Sequence, residues 1–208
     1  MKRMMSALMT GLLLSGLFLV GSVQASDLET GASGFIRSLE QEAIGSLTDK
    51  TRDRAERVKT FRVLFEEKFA VESIGRWTLG RNWRRASESE QREFLDLFED
   101  LMVVMYVDRF QSYSGEKLEI LKTQTVDENR ATVHTEIVRP DGVDAKPISI
   151  LWRVGRQETI YKVLDVVVEG VSMSITLQNE FTSIIKNTGS VAGLIEELKK
   201  KTAQLNPP

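Results

Sequence analysis

"YKVLDVVVEGVSMSI" occupies residues 161–175. Read with the two-residue period of a strand, it sets Leu164, Val166 and Val168 on one face. Val163, Asp165, Val167, Glu169, Val171, Met173 and Ile175 fall on the other. A strand in a sheet with one wet face alternates apolar and polar residues. This one carries hydrocarbon on both faces, with two acids set into the second, so it calls for cover on two sides.

Three more strand candidates precede it: "KLEILKT" (117–123), "ATVHTEIV" (131–138) and "ISILWRV" (148–154). "VDENR", "RPDGVDAK" and "GRQET" separate the four, and each reads as a hairpin-like connection. Consecutive strands joined by short loops form an antiparallel meander. In the third, Ile148, Ile150, Trp152 and Val154 share a face. Gly170 is expected to mark a bend or bulge, because glycine weakens a central strand and often stands at such irregularities. Beyond it the chain is expected to stay extended to about Leu177, turning the corner of a cupped sheet.

Helical spacing dominates the chain before the sheet. Residues 29–47 and 50–69 read as amphipathic helices, the second with Ala55, Val58, Phe61, Leu64, Phe65 and Phe69 at three- and four-residue steps. "AVESIGRWTLG" gives a short helix that Gly80 stops. Ser87 with Glu90 three residues on is a capping box, opening a long helix from 88 to about 113. That helix holds "LMVVMYV", Leu101–Val107, which is apolar nearly all round although packing on one core needs only a stripe. One face on packed core and another on a cavity would satisfy it. Two further helices follow, through "NEFTSIIKN" and from Ser190 to about Lys201. Helices, then a meander, then helices make an α+β arrangement: about four antiparallel strands curved around a pocket, with N- and C-terminal helices packed on them.

The chain excludes several functions. Its net charge is −2, and no basic stripe carries interleaved aromatics, so nucleic acid is not a partner. One histidine, His134, sits mid-strand, and there is no cysteine, which leaves no Cys–His pair and no His-rich metal cluster. The glycines are scattered and form no phosphate-cradling loop. Asp165 and Glu169 are the acids with apolar neighbours on the same strand face. A buried Asp165 would be the base of an isomerase on a cone-shaped fold; at a sheet edge the pair would be ordinary surface acids. A third possibility is a structural protein with a dry core.

Residues 1–25 read as a secretory signal peptide: basic "MKRMM", apolar "LMTGLLLSGLFLVG", then the small-x-small box Val23–Ala25 before Ser26. Residues 26–208 then form a single domain, with a helical part over about 27–113, a sheet over about 117–177 and C-terminal helices over about 178–203. A cysteine-free exported chain points to a bacterial periplasm.

Three stretches together resemble the MlaC family, also called the toluene-tolerance auxiliary family. They are "FAVESIGRWTLGRNWRRASESEQREFLDLFEDLMVVMYVDRFQSYSGE" (69–116), "IVRPDG" (137–142), and "YKVLDVVVEGVSM" with "NEFTSIIKNTG" (161–189). One departure is Phe69-Ala70, where the family pattern has Phe-Asp; that Asp would brace the start of the short helix. The resemblance implies a fold like that of nuclear transport factor 2 and a monomeric periplasmic phospholipid carrier. Its cargo would be a diacyl lipid, with a hopanoid or other apolar lipid as the alternative, and no cofactor. It implies shuttling between an outer-membrane lipoprotein complex and an inner-membrane ABC transporter with an MCE-domain protein, in maintenance of outer-membrane lipid asymmetry.

On that reading the acyl chains lie between sheet and helices. The expected wall is Trp77, Leu79, Leu101, Met105, Phe110, Ile150, Trp152, Val167, Val171 and Met173. The basic cluster of "GRNWRR", Arg81, Arg84 and Arg85, is expected to face solvent and meet the head group or a docking partner.

Overall fold

The computed structural model describes residues 20–49, 51–139 and 146–206. Most of the signal-peptide reading (residues 1–19) and most of the "RPDGVDAK" turn (140–145) lie outside the described residues. Six helices and five strands follow in the order α1 (Val20–Leu47), α2 (Arg54–Lys68), α3 (Val71–Leu79), α4 (Glu88–Tyr106), β1 (Lys117–Asp127), β2 (Arg130–Val138), β3 (Ile148–Gln157), β4 (Ile160–Val168), β5 (Val171–Ser172), α5 (Met173–Thr188) and α6 (Val191–Leu205). Short 3₁₀ segments cover Gly80–Arg85 and Val107–Ser112. The strands form one antiparallel meander in chain order. This is the expected α+β architecture, with a short fifth strand added.

Local chemistry sets the helix boundaries. Asp53 caps α2 by accepting from the Glu56 N–H at 2.8 Å, so that helix starts at 54 and not at 50. The Ser87–Glu90 capping box is present at α4. The helix after it is shorter than expected, because the chain tightens to 3₁₀ at Val107. Gly80 and Gly189, both at positive φ, close α3 and α5. Ala70 is the N-cap of α3 and supplies no side-chain cap, yet the helix forms. Its backbone N–H instead donates to Val163 O at 3.0 Å, beside a bridge between Phe69 and Val163. Strand pairing replaces the missing Asp as the brace.

Bulges give the sheet its irregular register. In β1, Leu121 and Val126 are the extra residues opposite β2, and both are largely exposed as a result. In β4 the extra residue is Leu164, because Arg153 pairs with Asp165 and Val154 with Val163. A one-residue insertion moves every later side chain to the other face. The strict alternation expected over 161–175 therefore fails: Val163 shares the helix-covered face with Val166 and Val168, while Val167 stands on the opposite one.

The extended run expected after Gly170 is also absent. Val168 pairs with Val171, so Glu169 and Gly170 form a two-residue hairpin with φ of 49° and 81°. Positive φ at both positions is what such a tight reversal needs. Ser172 then accepts from the Ile175 N–H at 3.2 Å and caps α5, whose apolar residues Met173, Leu177, Phe181 and Ile184 recur at helical spacing. Gly170 is a turn residue and not a corner bend.

The helices cover one face of the sheet. α1 lies along β1 and β2, and α4 is flanked by α2, α3 and α6. Phe94 and Phe98 of α4 meet Phe181 of α5 edge-on, with centroids 5.7 and 6.4 Å from it. α1 also caps the free edge: Glu40 accepts from the Leu118 N–H and Glu29 from the Thr125 N–H, at 2.9 and 2.8 Å. Those contacts cover an edge that would otherwise invite strand pairing.

Candidate functional site: an apolar cavity between sheet and helices

A cavity of about 420 Å³ lies between the helices and the covered sheet face. Each wall is one stripe of one element. α2 supplies Phe61, Leu64 and Phe65, and the two phenylalanines form with Phe69 and Phe110 a run of aromatic contacts 4.9–6.2 Å apart. α4 supplies Phe98, Met102 and Tyr106, at i, i+4 and i+8. α1 adds Ile36, Leu39 and Ala43; the sheet adds Ile137, Ile150, Trp152, Val166 and Val168; α5 adds Met173 and Leu177. The surface so enclosed is almost wholly hydrocarbon.

Trp152 is held in this wall by one polar contact. Its indole N–H donates to Thr135 Oγ1 at 3.0 Å, and that hydroxyl donates to Ile150 O at 3.1 Å. Both polar groups are satisfied away from the cavity, so the ring presents carbon to it.

Asp165 borders the cavity but has no free acceptor for chemistry. Oδ2 accepts from Arg153 and Ser172 at 2.9 and 2.6 Å, and Oδ1 from the Ser174 N–H and hydroxyl at 3.1 and 2.7 Å. It ties β4 to the first turn of α5, where a carboxylate complements exposed N–H groups. His134 is half-buried on β2, and burial, then Lys122, pushes its imidazole below the ordinary value, towards the neutral form. Among the described residues no group of three or more His, Cys, Asp or Glu side chains is placed to hold a metal ion.

Of the residues expected in the wall, the structure brings Phe110, Ile150, Trp152 and Met173 together there. The others lie elsewhere. Leu79 and Leu101 are fully buried in the packed core, and Met105 packs against that core beside the cavity stripe. Val167 is turned to the opposite sheet face by the Leu164 bulge. Trp77 and Val171 are 47% and 57% exposed. The walls from α1 and α2 were not expected from the sequence, although Phe61 and Phe65 of α2 and Phe69 just beyond it, at four-residue steps, were a signal. Arg81, Arg84 and Arg85 are exposed, as expected, and have no ion-pair partner among the described residues. They do not line the cavity.

The family model described as "MlaC protein" matches residues 37–200. The chain is 25% identical over 135 residues to the intermembrane phospholipid transport system binding protein MlaC of Haemophilus influenzae. That match spans 64% of this chain and 63% of the relative's length. Its fold is similar to that of the phospholipid-binding protein of Ralstonia solanacearum solved in complex with a phospholipid, with a TM-score of 0.71 and 19% identity. The likeness covers 84% of this chain and 98% of that one. With the family model spanning most of its length, this chain belongs to the MlaC family.

Proposed function

We propose that this protein is a phospholipid carrier of the periplasm, taking acyl chains into the cavity between α1, α2, α4 and the sheet. The observation that carries the proposal is the almost wholly hydrocarbon wall of the cavity. The family is one of lipid-binding transport proteins, so the chain is not an enzyme, and the saturated hydrogen bonds of Asp165 fit a structural role. Exposed acyl chains are costly in water, at ~0.8 kcal/mol per methylene, and a carrier must replace the bilayer nearly group for group. Met102 and Met173 in the wall are suited to repacking around chains of different shape.

The carrier would work between an outer-membrane lipoprotein complex and an inner-membrane ABC transporter bearing an MCE-domain protein. Arg81, Arg84 and Arg85 would serve as a docking surface for an acidic partner. A vesicle assay tests the reading. The purified chain should extract labelled phospholipid from donor vesicles and deliver it to acceptors, and cavity substitutions should slow this. Transfer no faster than the spontaneous rate would refute it.

A further inference from the structure

The residues that line the cavity are buried or half-buried with two exceptions, Arg109 and Lys117, which are exposed. The cavity therefore opens between the 3₁₀ segment over Val107–Ser112 and the start of β1. Neither cation has a carboxylate within ion-pair distance among the described residues. The Arg109 guanidinium instead lies over the Tyr106 ring, 5.8 Å from its centroid, at the point where wall gives way to solvent.

Two carboxylates share this rim, and both are committed to backbone. Glu40 accepts from the Leu118 N–H at 2.9 Å. Glu116 accepts from the Ser114 N–H and hydroxyl at 2.7 and 2.9 Å. Those bonds, the Ser114 N–H foremost, hold its carboxyl below the ordinary value and so charged. The rim thus offers unsatisfied cationic donors to solvent while its anions are turned to the protein.

Building on the carrier reading, we infer that Arg109 and Lys117 form a phosphate-binding rim, which selects acyl lipids that carry a phosphate on the glycerol just beyond the acyl esters. The tail enters between α1, α2 and α4, and the phosphate diester stops at the guanidinium and ammonium groups. Charge-assisted bonds to phosphate are the strong ones, and a guanidinium suits two phosphate oxygens at once. The selectivity is for the phosphate and leaves the rest of the head group free in water.

Competition loading tests this. The purified chain is stripped of lipid, then offered vesicles holding equal amounts of phosphatidylglycerol, phosphatidylethanolamine and diacylglycerol with matched chains, and the complexes are weighed by native mass spectrometry. The wild type should load both phospholipids in preference to diacylglycerol by about tenfold or more, a factor of ten being ~1.4 kcal/mol. The Arg109→Gln/Lys117→Gln and Arg109→Glu/Lys117→Glu variants, with melting temperatures near wild type because both positions are exposed, should lose that preference while still taking diacylglycerol. Equal wild-type loading of all three, or an unchanged preference in both variants, overturns the rim. Loading of no lipid at all would instead refute the carrier reading beneath it.

Discussion

Ala70 is the N-cap of α3 and leaves that helix without a side-chain acceptor. Ala70→Asp should supply one and raise stability by about 0.5–1 kcal/mol, at the lower end of N-cap effects, because the Ala70 backbone is already fixed to Val163. Thermal unfolding checks the direction; a lower melting temperature would show that the strand bridge excludes a cap. Thr135 is the other residue on which much rests. Thr135→Val keeps the shape but strands the Trp152 indole N–H in the wall, which should cost about 1–3 kcal/mol. At roughly 2–4 °C per kcal/mol for a chain of this size, the fall is easily measured, and the indole emission should shift with it. A variant as stable as wild type would mean that Trp152 finds another acceptor. Neither contact was legible in the sequence. Thr135 and Trp152 meet because β2 and β3 are in a particular register, and register is a property of paired strands.

Among the elements, α4 shows what an all-apolar run conceals. Leu101–Val107 was legible as a helix covered on nearly all sides, but seven apolar residues carry no mark of which stripe meets a cavity. The wall is Phe98, Met102 and Tyr106, while Leu101 is sealed in the core. The two stripes should respond differently. Met102→Trp should fill space and reduce bound lipid per folded molecule. Leu101→Ala should cost about 2–5 kcal/mol of stability and leave loading per folded molecule unchanged. The opposite pattern in lipid extraction and thermal unfolding would reverse the assignment. The α1–α2 pair is clasped by Lys68 and Glu42, 2.7 Å apart. The Lys68 ammonium, then the Ser38 hydroxyl, holds the Glu42 carboxyl below its ordinary value. A carboxyl lowered in the folded state contributes stability above its unfolded value and loses it as pH falls through the folded one. Lys68→Met should therefore be less stable than wild type at neutral pH, and the two melting curves should converge in acid. A constant gap down to acid pH would assign the effect to lost packing of the lysine stem.

At the scale of the molecule, the order of elements was readable because helix period, strand period and turn residues each act locally. The β4–α5 junction was not. The Leu164 bulge and the Glu169–Gly170 hairpin each break a local period in one step, so Val166 and Val168 face the cavity while Val167 turns away. The cavity itself is a property of the assembly, since α1 and α2 become walls only once the sheet lies beneath them. A carrier of lipid is defined by what its cavity holds. Native mass spectrometry of the protein purified gently from its own cells should show a mass excess that dissociates as phospholipid, and this excess should fall in Met102→Trp. A clean apo mass for the wild type, with the vesicle-exposed protein equally empty, would contradict it.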